Sequence, residues 1–357
     1  MASKNNNLSP REKAKKTRKT IIILLAEALV LAVLVVALLA INKGEKVQRI
    51  TINEDELGID ENLEENEDMQ KYKNVALFGI DSRNGSLEES HRSDTIMIAS
   101  INQETKEVKI VSVYRDTYLN CLNGNYDKVN AAYSIGGPEY AIKVLNSNLN
   151  LNIKDFVSVG FKGVVDTVDS LGGVWIEVDS AEIRHLNNYA KCIAEDLNMD
   201  ATYLEETGYQ LLNGLQATAY CRIRYTAGDD FKRTERQREV LQAIMEESQT
   251  ADAGTVSEIA DDVFPNIATT LSLDEILSIL VAVQDYTIVE TTGWPFASNI
   301  TTATVGTKSV VIPMDLTENV KLLHEFLFEE ENFEVSDSVL EYSQDIIDET
   351  SPYIIKN

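Results

Sequence analysis

The chain has 357 residues, of which 44% are apolar and 25% charged, and its formal net charge is −26. This length admits one to three domains. Because so acidic a surface repels nucleic acid, we predict no nucleic-acid partner. Any anion that binds must be held by a local basic cluster. Three cysteines cannot all pair in disulfides, although one disulfide together with one buried free thiol is an alternative that the sequence leaves open. The spacing of the cysteines and the three histidines argues against a zinc site or a histidine-based triad.

The N-terminal region predicts a membrane anchor. Residues 1–20 carry seven Lys or Arg against one Glu, and residues 21–41 are apolar apart from Glu27. As a helix, this run would span about 31 Å, the thickness of a bilayer core. The run is longer than the apolar region of a signal peptide, and no A-x-A-like site follows it. We therefore predict a single-pass cell-membrane protein with residues 1–20 in the cytoplasm and everything after residue 41 outside it.

Between the anchor and the first predicted strand, residues 44–69 contain ten Asp or Glu and two basic residues. This composition predicts an acidic linker over 42–73. Strands alternating with helices then predict an α/β domain over 74–330, followed by an acidic C-terminal tail over 331–357.

The predicted elements of this domain follow from period-2 and period-3.6 apolar patterns. Strands are expected at 74–80, 95–101, 108–114, 174–178, 217–225, 286–292 and 308–313, and helices at 137–149, 163–172, from about 233 to 248, 257–271, 273–283 and 316–330. The strand at 217–225 would bury Ala219, Cys221 and Ile223, which makes Cys221 a core thiol, and would place Arg222 and Arg224 together on its other face.

Arginine is concentrated near predicted strand ends and at one helix start. Five arginines lie between residues 222 and 238, and strand ends are where open α/β sheets bind ligands. The guanidinium fork pairs with phosphate, and the start of a helix favours anions. Arg233 and Gln237 share a face of the predicted helix. The alternative for Arg236 and Arg238 is a surface position that pairs with Glu235, Glu239 or Glu246.

Two aspartates flank consecutive predicted strands. Asp81 directly follows the first strand, Asp94 directly precedes the second, and Asp116 follows Arg115. Carboxylates beside phosphate indicate Mg²⁺, or Mn²⁺, which typically takes one or two protein carboxylates together with phosphate oxygens. For each aspartate alone, a turn residue or helix cap is the alternative.

These motifs resemble, in order, those of the LytR-CpsA-Psr family of bacterial cell-envelope enzymes. The stretches that carry the resemblance are LFGIDSR, RSDTI, SVYRDT, KVNAAYSIGG, VGFKGVVDTVDSLGGVWIEV, LNGLQATAYCRIRY and DDFKRTERQR, over residues 77–238. Tyr114 departs from the family, which often has proline before RDT. The resemblance implies an α/β/α sandwich with a central mixed sheet and an apolar groove for a polyprenyl chain.

The resemblance also implies a function and site residues. The family's phosphotransferases move glycopolymers, such as teichoic acid or capsule, from undecaprenyl diphosphate to peptidoglycan. Asp81 and Asp94 match magnesium-linked carboxylates, and Arg83 matches a recurrent position that we assign to the diphosphate site. The other positions that match diphosphate-binding residues are Arg92, Arg115, Arg222, Arg224, Arg233 and Gln237.

The expected reaction is attack of an acceptor sugar hydroxyl on the phosphorus nearest the glycopolymer. Asp94, Arg115 and Asp81 are the expected catalytic residues, and Asp94, Asp81 or Asp116 would accept the hydroxyl proton. Two alternatives stay open. In one, water replaces the sugar hydroxyl and the protein is a polyprenyl-diphosphate hydrolase; in the other, it is a non-catalytic envelope binding or regulatory protein.

Overall fold

A computed structural model describes residues 47–64, 66–81, 87, 91–224, 229–251, 255, 259 and 261–354. The expected cytoplasmic tail and membrane helix, residues 1–41, lie outside these residues. Within the described part of the chain, no helix has both the length and the apolar character needed to span a bilayer.

Seven strands form a central mixed sheet. The strands among the described residues are β1 (Gln48–Arg49), β2 (Tyr72–Ile80), β3 (Ser93–Asn102), β4 (Glu107–Val113), β5 (Tyr118–Asn120), β6 (Tyr126–Lys128), β7 (Asp155–Val159), β8 (Val174–Val178), β9 (Gly208–Leu212), β10 (Ile267–Thr269), β11 (Thr287–Trp294), β12 (Ile300–Val305) and β13 (Lys308–Pro313). The sheet order is β1-β10-β7-β2-β3-β4-β11, and β5–β6, β8–β9 and β12–β13 form two-stranded pairs. In the sheet, β2–β7, β4–β11 and β1–β10 are parallel, and the other pairs are antiparallel.

Helices cover the sheet and build a second core beside it. They are α1 (Glu61–Glu64), α2 (Glu67–Gln70), α3 (Ala131–Leu149), α4 (Phe161–Ser170), α5 (Ser180–Leu197), α6 (Gly214–Tyr220), α7 (Asp229–Ser248), α8 (Leu273–Val281), α9 (Leu316–Phe328) and α10 (Asp337–Thr350). The second core joins the β8–β9 pair to α5, α6 and α7.

Both faces of the central strands are buried, which explains their nearly continuous apolar sequences. Phe78 and Ile80 pack into the large core that also contains α3 and α9. Met97 and Ala99 belong to a smaller cluster, against which Leu241 of α7 packs. The expected mixed α/β fold with a central mixed sheet is therefore confirmed.

The strand expected at 217–225 is wrong, because residues Gly214–Tyr220 form helix α6. The Asn213 side chain accepts a hydrogen bond from the Gln216 backbone nitrogen, and the Gln216 side chain accepts one from the Asn213 backbone nitrogen, which is a capping box. Every residue of α6 is buried, so the alternating sequence does not mark one buried strand face. Arg222 and Arg224 therefore follow a helix end and do not lie along a strand.

Two other boundaries differ from the expectation. Helix α7 begins at Asp229, before Arg233. The helix expected over 257–271 contains strand β10, Ile267–Thr269, which lies in the sheet between β1 and β7. Residues 257, 258 and 260 of that expected helix lie outside the described residues.

The folded unit extends beyond residues 74 and 330 on both sides. From the segment expected as a linker, Leu57, Leu63 and Met69 are buried in the large core. From the segment expected as a tail, α10 contributes Val339 and Ile346, seven residues apart on one helix face. Acidic composition describes a segment's average, whereas burial depends on where its few apolar residues lie.

Candidate functional site

Three strand ends bring expected site residues to one edge of the sheet. Strand β2 ends directly before Asp81, and its last residue pairs with the first residue of antiparallel β3, directly before Asp94. Strand β4 runs antiparallel to β3 and ends two residues before Arg115. Pairing alone thus places Asp81, Asp94 and Arg115 at the same edge.

Asp94 contacts three arginines that are distant in the sequence. Arg115 Nη1 donates to Asp94 Oδ1 at 2.6 Å, and Arg224 Nη2 lies 3.8 Å from Asp94 Oδ2. Arg233 Nη2 donates to the Asp94 backbone carbonyl at 3.2 Å. The stretch 222–238 therefore meets the β3 and β4 strand ends at Asp94.

A second carboxylate in this cluster, Asp230, was missed by the sequence analysis. Its Oδ1 lies 3.1 Å from Arg233 Nη1 and 3.5 Å from Arg224 Nε, and its Oδ2 accepts from Arg115 Nε at 3.3 Å. The available signal was its position three residues before Arg233 at a helix start, a spacing that brings side chains together.

Burial and neighbouring charge act on the arginine pKa values in opposite directions. Burial lowers the pKa of Arg233 to about 10, Arg115 and Arg224 add to this decrease, and Asp230 and Asp94 oppose it. Burial also lowers the pKa of Arg115, but Asp94, Asp230 and Asp116 outweigh it, so this pKa is raised. Both side chains remain cationic at neutral pH.

Three other expected residues present polar atoms without hydrogen-bond partners among the described residues. These atoms are Asp81 Oδ1, Arg222 Nη1 and Gln237 Oε1, and each is buried. The Arg222 guanidinium lies 4.4 Å from the centre of the Phe161 ring and 5.4 Å from that of Tyr189, which are cation–π distances. Buried polar atoms without partners are costly, so these three atoms are candidates for ligand contacts.

A cavity of about 440 Å³ adjoins the cluster. Its charged and polar lining consists mainly of Asp81, Asp94, Arg115, Arg222, Arg224, Arg233 and Gln237, and its apolar lining includes Leu77, Val157, Val159, Phe161, Val164, Val240, Leu241 and Ile244. Cys221 also lines the cavity, half-buried at the edge of the second core, and burial raises the pKa of its thiol to about 12. The lining suits an amphipathic anion with a phosphate-like head and an apolar chain.

Some expected residues are not part of the lining. Arg92 is exposed and does not line the cavity, and Arg83 lies outside the described residues. Asp116 Oδ1 lies 3.0 Å from Lys128 Nζ and 4.0 Å from Arg115 Nε, so it forms an ion pair beside the cluster.

The surface position that was the alternative for Arg236 is wrong. Arg236 is 1% exposed, its Nε donates to Glu182 at 2.7 Å, and its Nη1 donates to the Ile223 carbonyl at 3.1 Å. Arg238 is half-buried near Tyr114, and burial lowers its pKa. The three cysteines, Cys121, Cys192 and Cys221, are described and unbridged.

The residues present fit a divalent cation that completes its coordination with substrate oxygens. The described residues contain no group of three or more His, Cys, Asp and Glu suited to a metal. Asp81 and Asp94 line the same cavity, and one oxygen of Asp81 is buried without a partner among the described residues. Mg²⁺ is often bound by one or two carboxylates together with phosphate oxygens, which matches this donor set.

Fold and site together define a mixed α/β protein with an arginine–carboxylate cluster beside an apolar cavity. The LytR_cpsA_psr family model matches residues 36–314, so the chain belongs to this family, as its motifs predicted.

Similar proteins carry teichoic acid transferase names. The chain is 32% identical over 215 residues to the polyisoprenyl-teichoic acid–peptidoglycan teichoic acid transferase TagU of Oceanobacillus iheyensis, covering 58% of this chain and 61% of that relative. It is 26% identical over 304 residues to the TagT transferase of Bacillus subtilis, covering 83% and 91%. A solved structure of TagT bound to LI-WTA superimposes with a TM-score of 0.58 at 25% identity, over 73% of this chain and 92% of that one. The match to TagU thus spans about three fifths of its length.

Proposed function

We propose that the protein is a phosphotransferase that moves an anionic glycopolymer, of teichoic acid or capsule type, from undecaprenyl diphosphate to peptidoglycan. The observation that carries this proposal is the meeting of Arg115, Arg224 and Arg233 with Asp94 beside a largely apolar cavity. Family membership and the transferase names of TagU and TagT support it.

The arginine cluster would bind the diphosphate head group. A hydrogen bond to a charged group contributes about 1.5–3 kcal/mol, and three or four guanidinium groups can donate several. The polyprenyl chain would move from the bilayer into the apolar cavity; both are hydrocarbon-like, so its net gain should be small. Selectivity would therefore come mainly from the diphosphate.

In the reaction, the oxygen of an acceptor hydroxyl forms a bond to the phosphorus nearest the glycopolymer. The bond from that phosphorus to the bridging oxygen breaks, and undecaprenyl phosphate leaves with the electron pair. The arginines would stabilise the charge that develops on the leaving phosphate. Asp81 and Asp94 are the cavity-lining carboxylates that could accept the hydroxyl proton, whereas Asp116 is paired with Lys128.

Mg²⁺, or Mn²⁺, belongs to this proposal, with Asp81 and Asp94 as the residues that would hold it. When bound, the ion would supply positive charge against the diphosphate. Arg83 and Arg92 stay in the proposal as diphosphate-binding residues on the family resemblance alone.

We also propose that residues 21–41 anchor the protein in the membrane with residues 1–20 in the cytoplasm. The support is the apolar length and the flanking basic residues. Protease added to intact protoplasts should then remove the folded region and leave the N-terminal 20 residues protected. Digestion of the N-terminus and protection of the folded region would overturn this orientation.

A transfer assay tests the activity. Purified protein, Mg²⁺, a labelled polyprenyl-diphosphate-linked glycopolymer and peptidoglycan oligomers should yield label covalently attached to the oligomers, with polyprenyl phosphate released. Release of free labelled polymer alone would favour the hydrolase. Binding of the labelled lipid with no turnover would favour a binding protein.

A further inference from the structure

The carboxylate of Asp230 lies among three guanidinium groups that come from three parts of the chain. Its oxygens are within 3.5 Å of nitrogens of Arg115, Arg224 and Arg233. Asp94 contacts the same arginines less evenly, since its carboxylate lies 3.8 Å from Arg224 and it meets Arg233 through its backbone carbonyl. Among the described residues, Asp230 is therefore the carboxylate whose side-chain oxygens lie within 3.5 Å of all three arginines.

Three cations in one cluster repel each other, and the repulsion is strongest where water is excluded. Arg233 is 3% exposed, so solvent screens its charge poorly. A carboxylate that contacts all three guanidinium groups offsets this repulsion and fixes their separations. Without it, the more exposed Arg115 and Arg224 could relieve the repulsion by turning away from Arg233.

Local helix chemistry does not explain these contacts. An aspartate in the first turn of a helix stabilises that helix by itself, so Asp230 could have been only a helix-start residue. Its contact with Arg115, 115 residues earlier in the chain, has no role in starting α7. Asp230 also approaches Arg115 and Arg224 at Nε, the nitrogen next to the side-chain stem, whereas fork recognition of phosphate can use the terminal Nη atoms.

We propose that Asp230 is a positioning residue, whose carboxylate holds the guanidinium groups of Arg115, Arg224 and Arg233 in the arrangement that receives the diphosphate. This role rests on the proposed function. It makes a prediction opposite to that of simple charge attraction, because removal of a negative charge beside a basic cluster should by itself strengthen anion binding.

The test measures binding of geranylgeranyl diphosphate to the full-length protein by calorimetry. The Asp230→Asn variant keeps the side-chain size and loses the charge, and we expect its Kd to rise at least about tenfold, with a similar rise in KM in the transfer assay. Asp230→Glu restores the charge and should bring the Kd within about threefold of wild type. Equal or tighter binding by Asp230→Asn would overturn the proposal.

A matched control removes a carboxylate from the same helix outside the cluster. Glu235 pairs with Lys232 at 2.6 Å and does not line the cavity, so Glu235→Gln should leave the Kd within twofold of wild type. A tenfold loss in this control as well would indicate a general effect on α7 and would also overturn the proposal.

A double-mutant cycle keeps the proposal testable if Asp230→Asn does not fold. Asp230→Ala also removes the carboxylate, and because Asp230 would act through the arginines, its effect on the Kd should be at least threefold smaller in an Arg224→Gln background than in wild type. Strictly additive effects would contradict the role of Asp230. If the wild-type protein fails to bind the probe, the proposed function itself falls, and this role falls with it.

Discussion

Arg233 and Arg236 lie three residues apart on α7 and are both almost fully buried, at 3% and 1% exposure, yet their surroundings differ. Arg236 has its own carboxylate, Glu182 on α5, and a backbone carbonyl as a second acceptor. Arg233 shares Asp230 with two other arginines and lines a cavity. The first arrangement ties two helices together, whereas the second concentrates positive charge where an anion can reach it.

This comparison shows that residue type and burial do not separate a structural arginine from a binding one. The deciding property is the balance of charge around the guanidinium group. At Arg236, one buried cation meets one buried anion. At Arg233, burial together with the neighbouring cations lowers the pKa to about 10. An additional anion would therefore stabilise this cluster.

The largest expected effect tests the structural side of the comparison. Arg236→Ala leaves Glu182 buried without its ion pair, and we expect a loss of about 3–5 kcal/mol in the free energy of unfolding, measured by urea denaturation. Replacement of both partners, Arg236→Met with Glu182→Leu, should recover most of that loss. A loss below about 1 kcal/mol in the single variant would mean that the pair does not stabilise the fold.

The next effect tests the binding side. Arg115→Ala removes the donor to Asp94 and one cation of the cluster, and we expect transfer activity to fall about 10²–10³-fold, as when a preorganised charged donor is lost. Because Arg115 lies at the cavity edge of a sheet whose core is unchanged, the urea midpoint should move little. Full transfer activity in Arg115→Ala would mean that the arginine cluster does not take part in the reaction.

A smaller effect concerns Arg222, whose guanidinium group lies against the rings of Phe161 and Tyr189. Phe161→Leu removes the ring 4.4 Å from its guanidinium group and should cost about 0.5–2 kcal/mol, which is a few-fold to about thirtyfold weaker binding of a polyprenyl diphosphate. Phe161→Tyr keeps a ring face and is the matched control. If both variants bind alike, the ring face does not orient Arg222.

The smallest effect comes from an exposed ion pair, which sharpens the contrast with the buried one. Hydrogen bonds from Lys73 and from Ser272 lower the pKa of Glu275 from 4.5 to about 2. Since the folded pKa lies below the unfolded one, the stabilisation is present above about pH 4.5 and is lost as the pH falls towards 2. The Glu275 side chain is 47% exposed, so solvent screening limits the contribution to less than about 1 kcal/mol.

Urea denaturation of wild type and Glu275→Gln checks this pH dependence. The two proteins should differ slightly at pH 7, and the difference should shrink at pH 3. A difference that grows as the pH falls would contradict the assigned sign.

Much of the site could be predicted from residue type and position. Asp81, Asp94 and Arg115 follow or precede apolar runs that had to be strands, and paired strands carry their flanking residues to one edge. Arg222 and Arg224 line the cavity with the other expected residues, but their placement was derived from a wrong strand. The alternating sequence before them is fully buried in α6, and period-2 alternation cannot distinguish a half-buried strand from a helix buried on all sides.

The sequence alone determined strands β2, β3, β4 and β11, the family, and the charged residues that line the cavity, because strand patterns and ordered motifs are local properties of the chain. Only the tertiary structure decided that Asp230 bridges three arginines, that Arg236 pairs with Glu182, and that residues such as Leu57 and Ile346 belong to the core. Asp230 meets Arg115 across 115 positions and Arg236 meets Glu182 across 54, although Arg224 and Arg233 lie within six positions of Asp230. The physical reason is that ion pairing and burial depend on which side chains meet in space, and neither the composition nor the period of one segment specifies its distant neighbours.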